Sequence, residues 1–264
     1  MKIILLCDIM GGKQMNENIF DGVGEIYAKY RPTYPTALIE YLKSIGLTSN
    51  STVADIGAGT GILTIELLKT CAKVYAIEPN NDMRNISEKA NSDNPKFISV
   101  DATAENTTLP DKSIDFITAA QSFHWFEKQA FKTECQRILK PKGKVILIWN
   151  RRNETSKTVQ DIDDINWKYC PLFSGSTNGM RGANTETDYQ DFFINGYETK
   201  IFSNDILFDK KRLIGLHQSA SYRLNENDPN YFNYFDELSS YFDLHSTDGI
   251  LNLPNTTCCY IGNL

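Results

Sequence analysis

The stretch VADIGAGTG, residues 53–61, sets an apolar run and an acid directly before three glycines at alternate positions. A loop of this kind brings backbone close to a nucleotide, but two familiar versions do not fit. A dinucleotide loop reads GxGxxG and aims a helix N-terminus at a pyrophosphate; here Gly57, Gly59 and Gly61 follow GxGxG, with Ile62 in the sixth position. A triphosphate loop needs Lys-Ser/Thr after its last glycine, and Ile62-Leu63 stands there instead. Asp55 would repel a pyrophosphate and attract an ammonium.

Working outward, TVADIG (52–57) reads as a first strand. GILTIELLKT (61–70) reads as a helix, with Ile62, Ile65, Leu67 and Leu68 in apolar spacing. AKVYAIEP (72–79) is a second strand stopped by Pro79. NDMRNISEKANS (81–92) is a second helix capped by Asn81 or Asp82. KFISVDA (96–102), IDFITAAQS (114–122), QAFKTECQRIL (129–139) and GKVILIWN (143–150) continue as strand, strand, helix and strand. Strands alternating with helices at this spacing predict parallel βαβ units and a doubly wound α/β sheet.

Outside that block the pattern changes. The N-terminal YRPTYP (30–35) is broken by prolines. It is followed by the amphipathic TALIEYLKSIGL (36–47), expected to pack over one end of the sheet. TVQDIDDINWKYCPLF (158–173) reads as helix, SGSTNGMRGANTET (174–187) as a mobile polar loop, and YETKIFSNDILFD (197–209) as a strand pair or one bent strand. KRLIGLHQSASY (211–222) and PNYFNYFDELSSYFDL (229–244) are helices, and TTCCYIG (256–262) is a last strand. The expected organisation is a flexible extension (1–15) or an upstream start ahead of Met15, then an N-terminal helical cover (16–50). The ligand-binding sheet domain (51–150) follows, and residues 151–264 form a partial lid, acceptor region and final strands.

The 264 residues carry 27 Lys and Arg against 33 Asp and Glu, a net charge of −6, which argues against a nucleic-acid binder. No apolar run approaches the ~20 residues of a membrane span. The apolar start is cut short by Asp8, below the about 7–15 residues of a signal-peptide core. The six cysteines are scattered without a CxxC pair and read as reduced thiols, so a cytoplasmic location is expected. Three unclustered histidines predict no metal site.

Two further strand ends decide what the glycine loop holds. Glu78 closes the second strand, where a carboxylate can accept both hydroxyls of a ribose. Asp101, with the Ala102 N–H beside it, closes the third strand, where an adenine edge would lie. A ribose and adenine without phosphates, bearing a cationic amino-acid tail, satisfies Asp55, Glu78 and Asp101 together: S-adenosylmethionine.

The chain resembles the class I S-adenosylmethionine-dependent methyltransferases, in the small-molecule branch that includes trans-aconitate methyltransferase. FDGVGEIYAKYRPTYP, VADIGAGTGILT, AIEPNNDM, DATAENTTLPDKSID, AAQSFHWF and LKPKGKVILIWN carry the resemblance, over about residues 19–150. It implies a Rossmann-like sheet of seven strands with the last antiparallel. By position, Asp55, Gly57, Ala58 and Gly59 would hold the methionine end and Glu78 the ribose. Pro79 or Met83 would pack on the adenine, and Asp101 with Ala102 would read its amino edge. The N-terminal helix would close over the cofactor, making Tyr27, Tyr30 and Arg31 candidates for the methionine carboxylate.

Gln121 would sit near the methionine moiety, with His124 and Trp125 facing the transferred methyl. Aromatic faces stabilise a sulfonium. Three roles are open to His124: general base, hydrogen-bond donor to a carboxylate acceptor, or, with Trp125, a cap on the next helix. Trp149 and Asn150, at the end of the fifth strand, are expected to point to the same rim, where Asn150 could orient an acceptor. The late aromatics (Trp167, Tyr169, Phe192, Phe193, Tyr231, Phe232, Tyr234, Phe235, Tyr241, Phe242) suggest a lid or simply core. His217 and His245 read as structural or exposed.

The expected activity is methyl transfer to a small molecule, with a carboxylic acid as leading acceptor and S-adenosylhomocysteine as product. Carbon methylation of a quinone- or polyketide-like ring, or a non-catalytic module binding the adenosyl ligand, are the alternatives.

Overall fold

The computed structural model describes residues 22, 24–175 and 186–264. The expected extension over residues 1–15, and most of the polar loop over 174–187, lie outside the described residues.

Seven strands form one sheet in the order β3-β2-β1-β4-β5-β9-β6. These are β1 (Thr52–Ile56), β2 (Lys73–Ile77), β3 (Phe97–Val100), β4 (Ile114–Ala120), β5 (Leu139–Arg152), β6 (Tyr197–Ser203) and β9 (Asn255–Gly262). The first five run parallel, and β9 is antiparallel to both β5 and β6. Val53 to Ile56 are buried, because a central parallel strand is covered on both faces and therefore reads as continuous apolar sequence. The expected doubly wound sheet with an antiparallel last strand is the observed one.

Each face has its own core. One gathers Ile117, Ala119, Leu147 and Trp149 against Phe123, Phe131, Tyr189 and Phe192. These come from α5 (Lys128–Ile138), a 3₁₀ turn (Phe123–Trp125) and α7 (Glu186–Phe192). The other gathers Val53, Ile146 and Ile148 against α3 (Ile62–Leu68) and α2 (Thr36–Ser44), which contributes Leu38, Ile39 and Leu42. Helix α2 therefore covers a face of the sheet rather than one end. Its buried residues at i, i+1 and i+4 make an apolar stripe that only a broad surface accommodates, and burying each such side chain stabilises by about 1.5–3 kcal/mol.

A third core joins α6 (Lys157–Tyr169), α8 (Lys210–Gln218) and α9 (Tyr231–His245) to the short pair β7 (Ile206–Phe208) and β8 (Leu251–Leu253). The stretch read as a strand pair or one bent strand is two strands in different sheets. Most late aromatics fill these cores: Phe192 and Phe193 under the main sheet, Tyr234 and Phe242 in the third cluster. His217 is buried, its Nδ1 hydrogen bonded to the Leu213 carbonyl at 2.9 Å, while His245 stacks on Tyr241 at the surface.

Helix α1 (Gly24–Tyr30) bridges sheet and third core. A Cβ on Gly24 would meet Ile86 of α4 (Asn81–Asn91) at 2.4 Å, and one on Gly215 of α8 would meet the Tyr30 ring at 2.2 Å. Two glycines thus admit close approach on either side of α1. The N-cap of α4 is Asn80, whose side chain accepts from Met83 N at 3.0 Å, not Asn81 or Asp82.

Candidate functional site

The carboxyl ends of β1, β4 and β5 meet in a crevice, where ligands of open α/β sheets bind. Two adjoining cavities open there. The smaller, about 90 Å³, is lined by Asp55, Gly57, Ala58, Gly59, Thr60 and Met83. The larger, about 190 Å³, is lined by Arg31, His124, Asn150, Arg152, Tyr222 and Asn255. Tyr27, Tyr34, Ile62, Gln121 and Trp125 line both and form the boundary.

Asp55 sits in register with Thr118 of β4. Its carboxylate accepts from Thr118 Oγ1 at 2.7 Å and from Thr64 Oγ1 at 2.6 Å. Burial raises its pKa to about 6, against the lowering effect of the two hydroxyls. A carboxylate that is buried, half stabilised and placed beside a cavity is suited to a cation. Glu78 accepts from Gly59 N at 2.8 Å and Asn80 N at 2.9 Å; burial raises its pKa too, opposed by those two bonds and by Arg84.

Residues 54–147 match the family model of a methyltransferase domain. Over that stretch the chain is similar to a methyltransferase domain. It is similar to an uncharacterized methyltransferase of Mycobacterium tuberculosis, 33% identical over 139 residues that make up 53% of this chain and 55% of that protein. An uncharacterized methyltransferase-like protein of Schizosaccharomyces pombe is 30% identical over 166 residues, 56% of this chain and 62% of that protein. The chain thus spans little more than half the length of the curated relatives it matches. A structure assigned as a type II methyltransferase from Anaeromyxobacter dehalogenans shares the fold, with a TM-score of 0.66 and 20% identity over 89% of this chain and 98% of that one. The YcgJ protein of Bacillus subtilis shares it with a TM-score of 0.52 and 17% identity, over 87% and 99%.

The residues of this crevice fit S-adenosylmethionine, the cofactor expected from the sequence. Gly59, at φ +57°, has nothing within 4 Å of where a Cβ would stand, so its backbone faces open space. The Thr60 hydroxyl and the Arg31 Nε–H are buried without a partner among the described residues. Such orphaned groups fit a ligand that brings its own polar atoms. Arg31 also donates from Nη2 to the Ser219 carbonyl at 2.9 Å and lies 4.7 Å over the Tyr27 ring.

The structure separates the candidates read from sequence. Asp55, Gly57, Ala58, Gly59 and Met83 line the smaller cavity; Arg31 and His124 line the larger, and Tyr27, Gln121 and Trp125 both. Glu78, Pro79, Asp101 and Ala102 line neither; Glu78 is linked to the loop through Gly59. Asp101 is mostly exposed and takes a two-pronged hydrogen bond from Arg84, 3.1 Å on each oxygen. Arg84 also bonds the carbonyls of Glu78 and Pro79, so it ties the ends of β2 and β3 together. Tyr30 leaves the candidate set, its ring being used against Gly215.

Gln121 has φ +57°, an uncommon conformation for a non-glycine. It is held by its own N–H to the Ile148 carbonyl at 2.9 Å and by Nε2 to the Asn150 carbonyl at 3.3 Å. His124 and Trp125 do not cap the following helix: Glu127 does, accepting from Gln129 N and Ala130 N. Burial alone lowers the His124 pKa to about 4, and its ring packs between Trp125 and Trp149 at 4.5 and 5.5 Å.

Sequence reasoning missed Tyr34, Arg152, Tyr222 and Asn255. Tyr34 lay within the quoted YRPTYP. The other three come from segments whose place at the crevice depends on long-range packing, and no local pattern marks them.

Proposed function

We propose that this chain is a methyltransferase that uses S-adenosylmethionine to esterify a small carboxylic acid. One observation carries the reading: the larger cavity presents Arg152 as well as Arg31, and no carboxylate stands among its described lining residues. A guanidinium therefore remains for the acceptor when Arg31 holds the cofactor's carboxylate. That electrostatic character favours an anionic acceptor. The state of His124 supports it. With a pKa near 4 the imidazole is neutral at pH 7 and too weakly basic to activate a hydroxyl or amine efficiently. A carboxylate needs no such activation.

In this reading Asp55 holds the cofactor's ammonium, Arg31 its carboxylate and Glu78 its ribose, while Met83 packs beside the base. Bound there, S-adenosylmethionine supplies a methyl group on a sulfonium, open to in-line displacement. The chain's own contribution is alignment and dryness. Gln121 is fixed at the boundary of the cavities, and the His124 and Trp125 rings keep water away. Arg152, its guanidinium 3.8 Å from Asp163, and Asn150 face the acceptor.

The test is transfer of a labelled methyl group to a panel of aliphatic and aromatic acids, followed by mild alkali. Ester formation is expected, with the label released as methanol. A labelled product that survives alkali would replace this reading by carbon or nitrogen methylation. S-adenosylhomocysteine binding with no labelled product from the panel or from a metabolite extract would favour a non-catalytic binding module.

A further inference from the structure

The side-chain amide of Asn150 stands on β5 opposite Thr257 of β9 and lines the larger cavity. An amide can present either its oxygen or its nitrogen to a ligand, and its surroundings decide which. Here the decision starts from a backbone carbonyl. Asn204, in the link between β6 and β7, places its Nδ2 at 3.0 Å from the carbonyl of Thr33, at 3.2 Å from Asn150 Oδ1 and at 3.1 Å from Thr257 Oγ1.

A carbonyl oxygen only accepts, so the Asn204 atom facing Thr33 is the nitrogen. That nitrogen donates, so the Asn150 atom facing it is the oxygen. The Thr257 hydroxyl donates to the same oxygen at 2.6 Å. Asn204 is itself fixed, its N–H on the Asn255 carbonyl at 3.0 Å and its own carbonyl accepting from Asn255 Nδ2 at 3.2 Å. No hydrogen bond to Asn150 Nδ2 is made among the described residues.

We infer that Asn150 presents its NH₂ group, and not its oxygen, to the methyl acceptor, with Thr257 and Asn204 as positioning residues that lock this orientation. The inference rests on the larger cavity being the acceptor site. It narrows the acceptor to a molecule with a lone-pair oxygen at this point, a carboxylate or carbonyl, and excludes one that offers only an N–H or ammonium there. Because Asn204 also holds the Thr33 carbonyl, the same lock ties the Pro32–Tyr34 strap, which carries Tyr34 to both cavities, to the acceptor wall.

The orientation can be read without knowing the acceptor. In ¹⁵N-labelled full-length chain saturated with S-adenosylhomocysteine, the Asn150 NH₂ signals are identified by their loss in Asn150→Asp. They are expected to exchange freely with water, since the group has no internal partner. Protection against exchange would mean the amide is turned onto Thr257 and would overturn the inference.

Sodium benzoate and sodium succinate are then titrated into the same sample. Either anion is expected to shift the NH₂ pair in wild type and in Thr257→Ser. In Thr257→Val the response should weaken at least tenfold, with S-adenosylhomocysteine affinity within twofold of wild type. Equal weakening of cofactor and acid in Thr257→Val would reduce Thr257 to general support and sink its positioning role. An unprotected NH₂ pair that neither acid moves would uphold the orientation and count against the carboxylate reading above.

Discussion

Gly57 and Gly59 share a left-handed backbone but not an environment, and the difference separates folding from binding. A Cβ on Gly57 would lie 2.6 Å from Ser122 Cβ and 3.2 Å from the Phe126 ring, whereas one on Gly59 would meet nothing within 4 Å. A side chain costs about 1–2 kcal/mol at either position from the backbone conformation alone, and only Gly57→Ala adds overlap with packed groups. In thermal denaturation, Gly59→Ala is expected to lose only a few degrees and Gly57→Ala clearly more. In calorimetric titration Gly59→Ala should still lose tenfold or more in S-adenosylhomocysteine affinity, about 1.4 kcal/mol, because the open space beside it is where a ligand would lie. Matching losses of stability, with cofactor affinity intact in Gly59→Ala, would refute this division. Residue type and position after an apolar run sufficed to place Asp55 beside the smaller cavity, whereas Glu78 and Asp101, read in the same way, line neither cavity. What burial does was not legible: it lowers the pKa of His124, whose ring packs beside Trp149 of β5.

At the scale of elements, α1 is held by its packing against α8 and α4. Its fit depends on the close approach of the Tyr30 ring to Gly215 of α8, at the same helix end that carries Tyr27 and Arg31 to the cavities. Gly215→Ala is expected to push the ring away and weaken S-adenosylhomocysteine several-fold, although Gly215 lines neither cavity. Tyr30→Ala removes the same contact, so the double variant should be no worse than the poorer single one; such non-additivity marks residues in direct contact. Additive losses in calorimetry would show that the two act separately. The β1–β5 block was readable because each element there is long enough to show its own period and is bounded by turn residues. Strands β7 and β8, three residues each, are too short for that. They exist because tertiary partners complete them. Helix α2 showed its apolar stripe but not which surface would receive it.

Across the whole molecule, the site is a place where the protein gives up stability that a ligand can restore. The Asp55 carboxyl has a folded pKa raised to about 6 from 3.8, so the folded chain binds this proton more tightly than the unfolded one. Its contribution is therefore most favourable below about pH 4 and is lost as pH rises through 6. Two units correspond to about 3 kcal/mol at most. An ammonium placed beside the ionised carboxylate reverses that shift, so binding releases a proton and grows stronger as pH rises through 6. The increase in Tm given by a fixed excess of S-adenosylhomocysteine, which follows RT ln(1 + [L]/Kd), should thus grow from pH 5 to about pH 7 and then level off. Asp55→Asn should give a smaller increase that does not change over this range, and without ligand it should be at least as stable as wild type above pH 6, because it carries no buried charge. His124 and His217 cannot produce the same profile. Burial lowers their pKa values to about 4 and about 3, so both are neutral throughout the window, and their effect on stability ends where the unfolded histidines finish titrating. A ligand-induced increase that is flat from pH 5 to 7 in wild type would show that Asp55 does not meet the cofactor's ammonium.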